Sequence, residues 1–329
     1  MNDRSTHSTR EAFIAALSEL MEAGHSIVVV FADTTKIFKA PDAFLARFRD
    51  RIFDVGIAEQ NAVGIAAGLA ACGLKVFVAS YAGFITMRAC EQVRTCVAYP
   101  GLDVKFVGAN GGLMGGEREG VTHQFIEDVS ILRTIPGVTV VVPADAHQVY
   151  LATKTLAEIQ GPAYMRVGSG RDLMVYDSSV SFELGKIRVV RDDGDDVGLF
   201  ANGYLIRRCL EAADRLHALG IGARVVEVHT LRPLDASGIR TVLGTTRAAV
   251  AVEDHSIIGG LGSAIAEVIA EHGAGRLARV GVRDVFPESG EALALLDRYG
   301  MAISDIVAAA QCVLREPGSA KYEICGKGF

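Results

Sequence analysis

The chain has no apolar run long enough to cross a bilayer, no CxxC pair and no concentration of basic residues. A membrane-spanning helix needs about 18 to 20 consecutive apolar residues, and the longest runs here are shorter. The opening segment, MNDRSTHSTR, is polar and shows none of the apolar stretch of a signal peptide. We therefore expect a soluble, cytoplasmic protein with no membrane partner.

Charge and cysteine usage exclude two further classes. The 33 lysines and arginines are spread along the chain and are outnumbered by 39 acidic residues, giving a net charge of −6. That distribution provides no clustered basic surface to contact a nucleic-acid backbone. Most of the six cysteines lie in or beside apolar helical or strand patterns. This setting predicts reduced, mostly buried thiols without metal or disulfide roles.

The length and the apolar pattern indicate two α/β domains. At 329 residues the chain exceeds the size at which a single core usually stops growing. Short β-branched runs alternate with helical patterns, as in strands buried on both faces of a parallel sheet. The runs are SIVVVFAD, KVFVAS, VKFVGAN and VTVVVPAD, and later DVGLFAN, ARVVEVHT, AAVAVED and LARVGV. We predict two mostly parallel sheets flanked by helices, in domains at 1–177 and 178–315, with a tail at 316–329.

A glycine-rich turn, EDHSIIGGLGSAIAEVIAE, follows one of the predicted strands and opens a helix. Its glycines do not fit the G-x-G-x-x-G spacing of a dinucleotide loop, and the chain has no Walker motif. The segment is better explained as a tight strand-to-helix turn. His255, which lies in it, is expected to be structural.

The stretch FDVGIAEQNAVGIAAGLAACG places one acid, Glu59, at the head of small and apolar residues. From Ala58 the pattern is helical, with alanines and glycines that leave one face almost without side-chain volume. Glu59 could be an exposed acid at a helix start, favoured by the helix dipole by about 0.3 to 1 kcal/mol. A closely packed helix tends to be buried, however, and a buried carboxylate needs a partner or a shifted pKa. Such an acid could exchange a proton with a ring nitrogen.

Aromatic and titratable residues follow the next two predicted strands. Tyr81 and Phe84 come just after the end of one strand, where open α/β sheets bind ligands, and could hold a flat ring. The later segment GANGGLMGGEREGVTHQFIED combines glycines with Glu119, His123 and Glu127. His123 could move protons near neutral pH. The alternatives are a core aromatic pair and an ordinary loop histidine.

Three strings together resemble the C-terminal half of transketolase, in the form where the enzyme is split into two chains. They are FDVGIAEQNAVGIAAGLA, the later THQ…ED…LRTIPGVTVVVPAD, and VEDHSIIGGLGSAIAEV. The resemblance runs from about Thr9 to Leu314. It implies a pyrimidine-binding domain followed by a transketolase C-terminal domain. The implied activity is thiamine diphosphate-dependent transfer of a two-carbon ketol unit from a ketose to an aldehyde.

The resemblance also implies cofactor roles for four residues. Glu59 would hydrogen-bond the pyrimidine nitrogen N1′ of thiamine, so that the exocyclic nitrogen can remove the C2 proton of the thiazolium. Phe84 would stack on the pyrimidine, and Tyr81 would complete the apolar pocket. Asp33, at the end of a strand, matches a family position near the cofactor and the subunit contact.

Five residues match substrate-binding positions of the family. His123 would hydrogen-bond donor-substrate oxygens and help proton transfer. Glu119 stands where transketolases usually have an aspartate that reads a substrate hydroxyl. Arg10 and Arg166 match arginines that bind the acceptor phosphate, a use that suits guanidinium groups. Asn110 replaces a family histidine and cannot carry a positive charge, which predicts an acceptor other than the ordinary pentose and tetrose phosphates.

The GDG motif and later asparagine that bind the cofactor's divalent cation in this family are absent. We therefore expect no metal site in this chain, and Mg²⁺ bound through a partner, an N-terminal subunit with the diphosphate-binding domain, in an α2β2 assembly. Alternatives are the β subunit of a 2-oxo acid dehydrogenase, a deoxyxylulose phosphate synthase-like enzyme, and a noncatalytic regulatory homologue. Retention of Glu59, Phe84 and His123 argues against the last.

Overall fold

A computed structural model describes residues 6–116, 119–168, 172–273 and 275–315, so the predicted tail at 316–329 lies outside the described residues. The strands are β1 (Thr6–His7), β2 (Ile27–Phe31), β3 (Ile52–Asp54), β4 (Lys75–Tyr81), β5 (Val104–Ala109), β6 (Thr139–Val141), β7 (Ala163–Val167), β8 (Asp172–Leu173), β9 (Arg188–Asp192), β10 (Val197–Ala201), β11 (Ala223–Glu227), β12 (Thr230–Arg232), β13 (Ala248–Ser256) and β14 (Leu277–Val282).

The helices are α1 (Thr9–Glu22), α2 (Asp42–Arg47), α3 (Glu59–Ala71), α4 (Cys90–Gln92), α5 (Asp128–Thr134), α6 (Ala146–Glu158), α7 (Leu205–Ala218), α8 (Ala236–Thr245), α9 (Leu261–His272), α10 (Ala292–Arg298) and α11 (Ile303–Leu314). Short 3₁₀ turns occur at Arg49–Arg51 and Gly120–Thr122, and π-helical turns at Phe84–Arg88 and Val93–Ala98. In the described part of the chain, no helix combines the length and apolarity that a bilayer span requires.

The first sheet has seven strands in the order β12-β6-β7-β5-β4-β2-β3. Its strands run parallel, except that β12 pairs antiparallel with β6. The four predicted strands of this half correspond to β2, β4, β5 and β6. β12 comes from beyond residue 178, so the later half of the chain completes the edge of the first sheet.

The second sheet has five strands in the order β14-β13-β10-β11-β9, with only β9 antiparallel to its neighbour. All four strands predicted for this half are present. The prediction of two mostly parallel sheets flanked by helices is confirmed. The boundary between 177 and 178 stays a prediction.

The parallel arrangement brings four strand ends to one edge of the first sheet. Neighbouring parallel strands β2, β4, β5 and β7 end at their carboxyl termini on the same side. Loops that follow such ends are where open α/β sheets place their ligands. The predicted site residues lie in these strands, in the turns and loops that follow them, and in the adjoining starts of α1 and α3.

Helix α3 does not have the single small face expected from the sequence. Its alanines at 62, 66 and 70 are buried in the core, whereas Gly64 and Gly68 are exposed, with open space where a side chain would be. Residues two apart on a helix differ by about 200° around its axis, so the two sets must face opposite sides.

The cysteines also differ from the expectation of reduced, mostly buried thiols. Cys209 is buried and free, but Cys72 and Cys96 are free and exposed. Cys312 is disulfide-bonded, which corrects the prediction for that residue. The exposed pair lies at or near helix ends, where neighbouring apolar residues did not distinguish a buried position from a solvent-facing one.

Candidate active site

Glu59 is the first residue of α3 and is only 1% exposed. Its carboxylate lies at the positive end of the helix dipole, which favours the negative charge. Arg88 Nη1 donates a hydrogen bond to Glu59 Oε2 at 2.6 Å. Glu59 is therefore a buried, partnered carboxylate rather than an exposed acid at a helix start.

Three predicted site residues form one aromatic cluster. The ring of His123 lies 5.0 Å from that of Tyr81 and 5.3 Å from that of Phe84, both in edge-to-face geometry. Tyr81 and Phe84 are themselves 5.5 Å apart, and Phe125 packs against Phe84 at 5.2 Å. The end of β4 with the turn that follows it and the loop between β5 and α5 thus meet at the carboxyl edge of the first sheet. Their roles toward cofactor and substrate stay predictions.

Arg88 joins this cluster to Glu59 and was not singled out from the sequence. The centre of its guanidinium lies 4.2 Å from the centroid of the Phe84 ring, while Nη1 donates to Glu59. The side chain of Arg88 is 44% exposed, so it can leave this position. A planar nitrogen-bearing group can therefore contact Phe84 and hydrogen-bond Glu59 at the same time. An aminopyrimidine ring has those properties, so these residues fit the pyrimidine of thiamine.

The turn before α3 is held by Asp54, a second residue that the sequence reading missed. Asp54 Oδ1 accepts hydrogen bonds from the backbone N–H of Asp33 at 2.8 Å and of Gly56 at 3.0 Å. Asp33 is exposed and has a left-handed backbone with φ of 56°. Asp54 thereby ties the end of β2 to the turn that leads into Glu59. The cofactor role expected for Asp33 stays a prediction.

The loop between β5 and α5 folds back on itself around His123. The N–H of His123 donates to Gly120 O at 2.9 Å, and Thr122 Oγ1 lies 3.0 Å from His123 Nδ1. A side chain at Gly116 would place its Cβ 2.1 Å from the carbonyl oxygen of His123. This close approach requires glycine at 116. Glu119 is exposed on the same loop.

Arg10 and Asn110 form a hydrogen-bonded pair at the same sheet edge. Arg10 Nη2 donates to Asn110 Oδ1, while its Nη1 and Nε donate to the carbonyl oxygens of Ile37 and Gly168 at 3.1 and 3.0 Å. Burial lowers the pKa of Arg10, although the charges of Asp172, Tyr81 and Glu119 oppose that shift. Protein acceptors thus occupy these three nitrogens, and phosphate binding by Arg10 stays a prediction.

Arg166 lies in a buried ion pair with Asp128. Its Nε donates to Asp128 Oδ2 at 2.9 Å, its Nη2 donates to Asp128 Oδ1, and its Nη1 donates to Asp254 O at 2.8 Å. Tyr164 Oη also donates to Asp128. Burial alone would raise the pKa of Asp128, but the Arg166 charge and hydrogen bonds hold it below its ordinary value. The role of Arg166 in substrate binding stays a prediction.

These partner residues differ in whether a local sequence pattern could have identified them. Arg88 follows Phe84 by four residues, a spacing at which helical side chains meet, so it could have been found. Asp128 and Asp254 carried no such local signal, since both acids read as ordinary helix-start or strand-end residues. Across the described ranges, no group of three or more histidine, cysteine or acidic side chains is arranged to hold a metal ion.

Comparison with known proteins identifies both halves of the chain. Residues 5–170 match the transketolase pyrimidine-binding domain, and residues 185–306 match the transketolase C-terminal domain. A putative transketolase C-terminal section of Methanocaldococcus jannaschii is 39% identical over 295 residues, covering 89% of this chain and 92% of the relative. A 6-deoxy-6-sulfo-D-fructose transketolase subunit of Clostridium sp. (strain MSTE9) is 39% identical over 304 residues, covering 92% and 94%.

A solved structure gives the same result for the three-dimensional fold. The chain superposes with a TM-score of 0.86 on a split-gene transketolase described as an inactive β4 tetramer, at 42% identity. The match covers 94% of this chain and 98% of that one. These relatives favour transketolase over the 2-oxo acid dehydrogenase alternative. The chain belongs to the transketolase family and is a subunit of a split transketolase-type enzyme.

Proposed function

We propose that this chain acts with a partner chain to transfer a two-carbon ketol unit from a ketose to an aldehyde, with thiamine diphosphate bound between the two chains. The observation that carries the proposal is the position of Glu59. Its carboxylate is buried at a helix N-terminus and is hydrogen-bonded to the Arg88 guanidinium, a planar group that lies on the Phe84 ring. This is the arrangement that a carboxylate needs to exchange a proton with a stacked nitrogen heterocycle.

The chain's own residues would hold the pyrimidine end of the cofactor. Glu59 would accept from or donate to the ring nitrogen, Phe84 would contact the ring face, and Tyr81 would close the apolar side. Arg88 would move away from Glu59 and Phe84 to admit the ring. When bound, thiamine diphosphate supplies the electron sink for breaking the carbon–carbon bond beside a carbonyl. Burial keeps water from competing for the Glu59 proton.

His123 is the proposed proton-transfer group on the substrate side. Its ring is half-buried and is oriented by the Tyr81 and Phe84 edges. Because Nδ1 faces Thr122 Oγ1 at 3.0 Å, Nε2 is the nitrogen that would meet a substrate oxygen. An imidazole held in one orientation can accept and return a proton near neutral pH.

The isolated chain should bind thiamine diphosphate negligibly, because the cation and diphosphate ligands are proposed to lie on the partner. The proposal is supported by the expectation drawn from the missing GDG motif and by the solved relative described as an inactive β4 tetramer. Calorimetric titration with Mg²⁺ should show no measurable heat for the chain alone, and a saturable isotherm after the partner is added. Tight, Mg²⁺-dependent binding to the isolated chain would contradict the split arrangement. An α2β2 stoichiometry is proposed on the same grounds.

The reconstituted pair should prefer an acceptor other than ribose 5-phosphate. Asn110 is uncharged where transketolases normally have histidine, and it is bonded to Arg10, which alters the groups available to an anionic substrate end. A relative at 39% identity is named for a sulfonated ketose, which in ketol transfer is a donor, so it supports a donor, rather than an acceptor, outside the ordinary sugar phosphates. The assay supplies a common ketose donor with ribose 5-phosphate, then with nonphosphorylated and otherwise substituted aldehydes. If ribose 5-phosphate is the best acceptor, with a kcat/KM of about 10⁴ M⁻¹s⁻¹ or more, the proposal of an acceptor other than the ordinary sugar phosphates is wrong.

A further inference from the structure

The loop that carries His123 is anchored at its start by a carboxylate of the second sheet. Asp254, near the end of β13, accepts a hydrogen bond on Oδ1 from Leu113 N at 2.8 Å and on Oδ2 from Met114 N at 3.2 Å. Gly112 has a φ of +79°, and a Cβ there would lie 2.2 Å from Asp254 Oδ2. The loop backbone therefore lies directly against this carboxylate, at a distance that only glycine permits.

The C-terminal end of this loop is also held by β13 and by the segment that follows the second sheet. The N–H of Ser256, two residues after Asp254, donates to Ile126 O at 2.9 Å. Gln124 Nε2 donates to the carbonyl oxygen of Glu288 at 2.9 Å. The second sheet and the segment after it thus contact the loop on both sides of His123.

A short path of backbone contacts connects Asp254 to His123. The amides that Asp254 binds, at 113 and 114, immediately precede Gly115 and Gly116. Gly116 packs against the His123 carbonyl, and its own oxygen accepts from Gly120 N at 2.9 Å. A shift of the backbone at 113–116 would therefore move the 3₁₀ turn, Gly120–Thr122, on which His123 depends.

We propose that Asp254 is a positioning residue for the reaction: its carboxylate fixes the backbone at 113–116 and so holds His123 against Tyr81 and Phe84. Asp254 itself makes no contact with those three side chains among its described hydrogen bonds. The second domain would then contribute to the reaction by holding the loop that bears the proton-transfer group. The effect of Asp254 on the reaction, unlike its anchoring of the loop, rests on the proposed function.

A carboxylate is suited to this task because both of its oxygens accept. Two adjacent backbone N–H groups of the loop point at it, one to each oxygen. An asparagine would offer one oxygen and one NH₂ group, and the NH₂ would oppose one of the two amides. Asp254→Asn therefore removes one anchor with little change of volume.

Glu253 provides a matched control one residue earlier. Its carboxylate also accepts two backbone N–H bonds, from Leu261 at 2.7 Å and Gly262 at 2.8 Å, but both lie at the start of α9 in its own domain. Glu253→Gln makes the same chemical change without touching the loop. Asp254→Glu, which keeps both acceptor oxygens, serves as the conservative variant.

Two measurements test the proposal. In the full chain, hydrogen–deuterium exchange at 113–116 should accelerate on the order of tenfold in Asp254→Asn, but not in Glu253→Gln. In the enzyme reconstituted with its partner, kcat/KM for the ketose donor should fall by about 10- to 100-fold in Asp254→Asn, with thiamine diphosphate affinity unchanged. Asp254→Glu should recover part of both effects.

The outcomes separate this inference from the proposed function. Loop exchange in Asp254→Asn equal to that in the control would overturn the anchoring. Faster exchange with kcat/KM equal to the control, in a pair whose wild type is active, would overturn the positioning role alone. A wild-type pair that transfers no ketol unit would overturn the proposed function, and the positioning role with it.

Discussion

Replacing Glu59 with glutamine is expected to slow C2 hydrogen–deuterium exchange of thiamine diphosphate in the reconstituted enzyme by about 10²- to 10⁴-fold, the usual cost of losing one acid–base group. Glutamine keeps the shape of the side chain and can still accept the hydrogen bond from Arg88, but it cannot exchange a proton with a ring nitrogen. Exchange is followed by NMR after acid quench at millisecond times, with partner and Mg²⁺ present.

The effect should be specific to Glu59 rather than to the local charge. Glu91 is an exposed carboxylate on α4, close in sequence to Arg88, so Glu91→Gln removes the same charge without altering the buried site. We expect wild-type exchange in Glu91→Gln and wild-type cofactor affinity in both variants to within a few fold. Unchanged exchange in Glu59→Gln would leave Glu59 as a purely structural acid at the start of α3.

The two-sheet architecture was predictable because its buried strands are recognisable from their apolar sequence pattern. β2 and β10 are buried at every position, and a strand buried on both faces shows a continuous apolar run rather than the periodic pattern of a surface helix. The sequence left Glu59 open between an exposed helix-start acid and a buried carboxylate, and the exposed Gly64 and Gly68 show that small residues alone do not mark the packed face of α3. The edge strand β12 was not predicted, because three residues next to β11 give no sign that they pair with a different sheet.

Arg88 could have been found from its spacing to Phe84, but its pairing with Glu59 was not predictable, nor were the other pairings of the site residues, because the partners come from distant parts of the chain. Arg88 is 29 residues from Glu59, and Arg166 is 38 residues from Asp128. Asp254 is 141 residues from Leu113. Sequence reading identifies which side chains have useful chemistry, whereas the sheet order decides which of them meet.

Arg166→Met should be strongly destabilising, lowering the free energy of unfolding by about 3 to 5 kcal/mol. Arg166 is 7% exposed and Asp128 is fully buried, and two donors of the guanidinium contact that carboxylate. Without Arg166, the charge of Asp128 would stay buried with Tyr164 as its remaining side-chain donor. Urea unfolding followed by circular dichroism at pH 7 measures the loss.

The double variant Arg166→Met/Asp128→Leu separates an unpaired charge from lost packing. It removes both charges and should recover much of the stability lost in Arg166→Met, though not all, since Tyr164 Oη loses its acceptor and Arg166 Nη1 no longer donates to Asp254 O.

The stability difference between wild type and Arg166→Met should also depend on pH if the buried charge of Asp128 sets it. In the wild type, the lowered pKa of Asp128 makes its ionised form stabilising above the ordinary value of 3.8, and that contribution disappears as the pH falls through the folded-state pKa. In Arg166→Met the unpaired carboxyl should take up a proton at higher pH, so the difference from wild type should shrink as the pH is lowered from 7 toward 4. A double variant as unstable as Arg166→Met, with a pH-independent difference, would show that packing rather than the buried charge sets the cost.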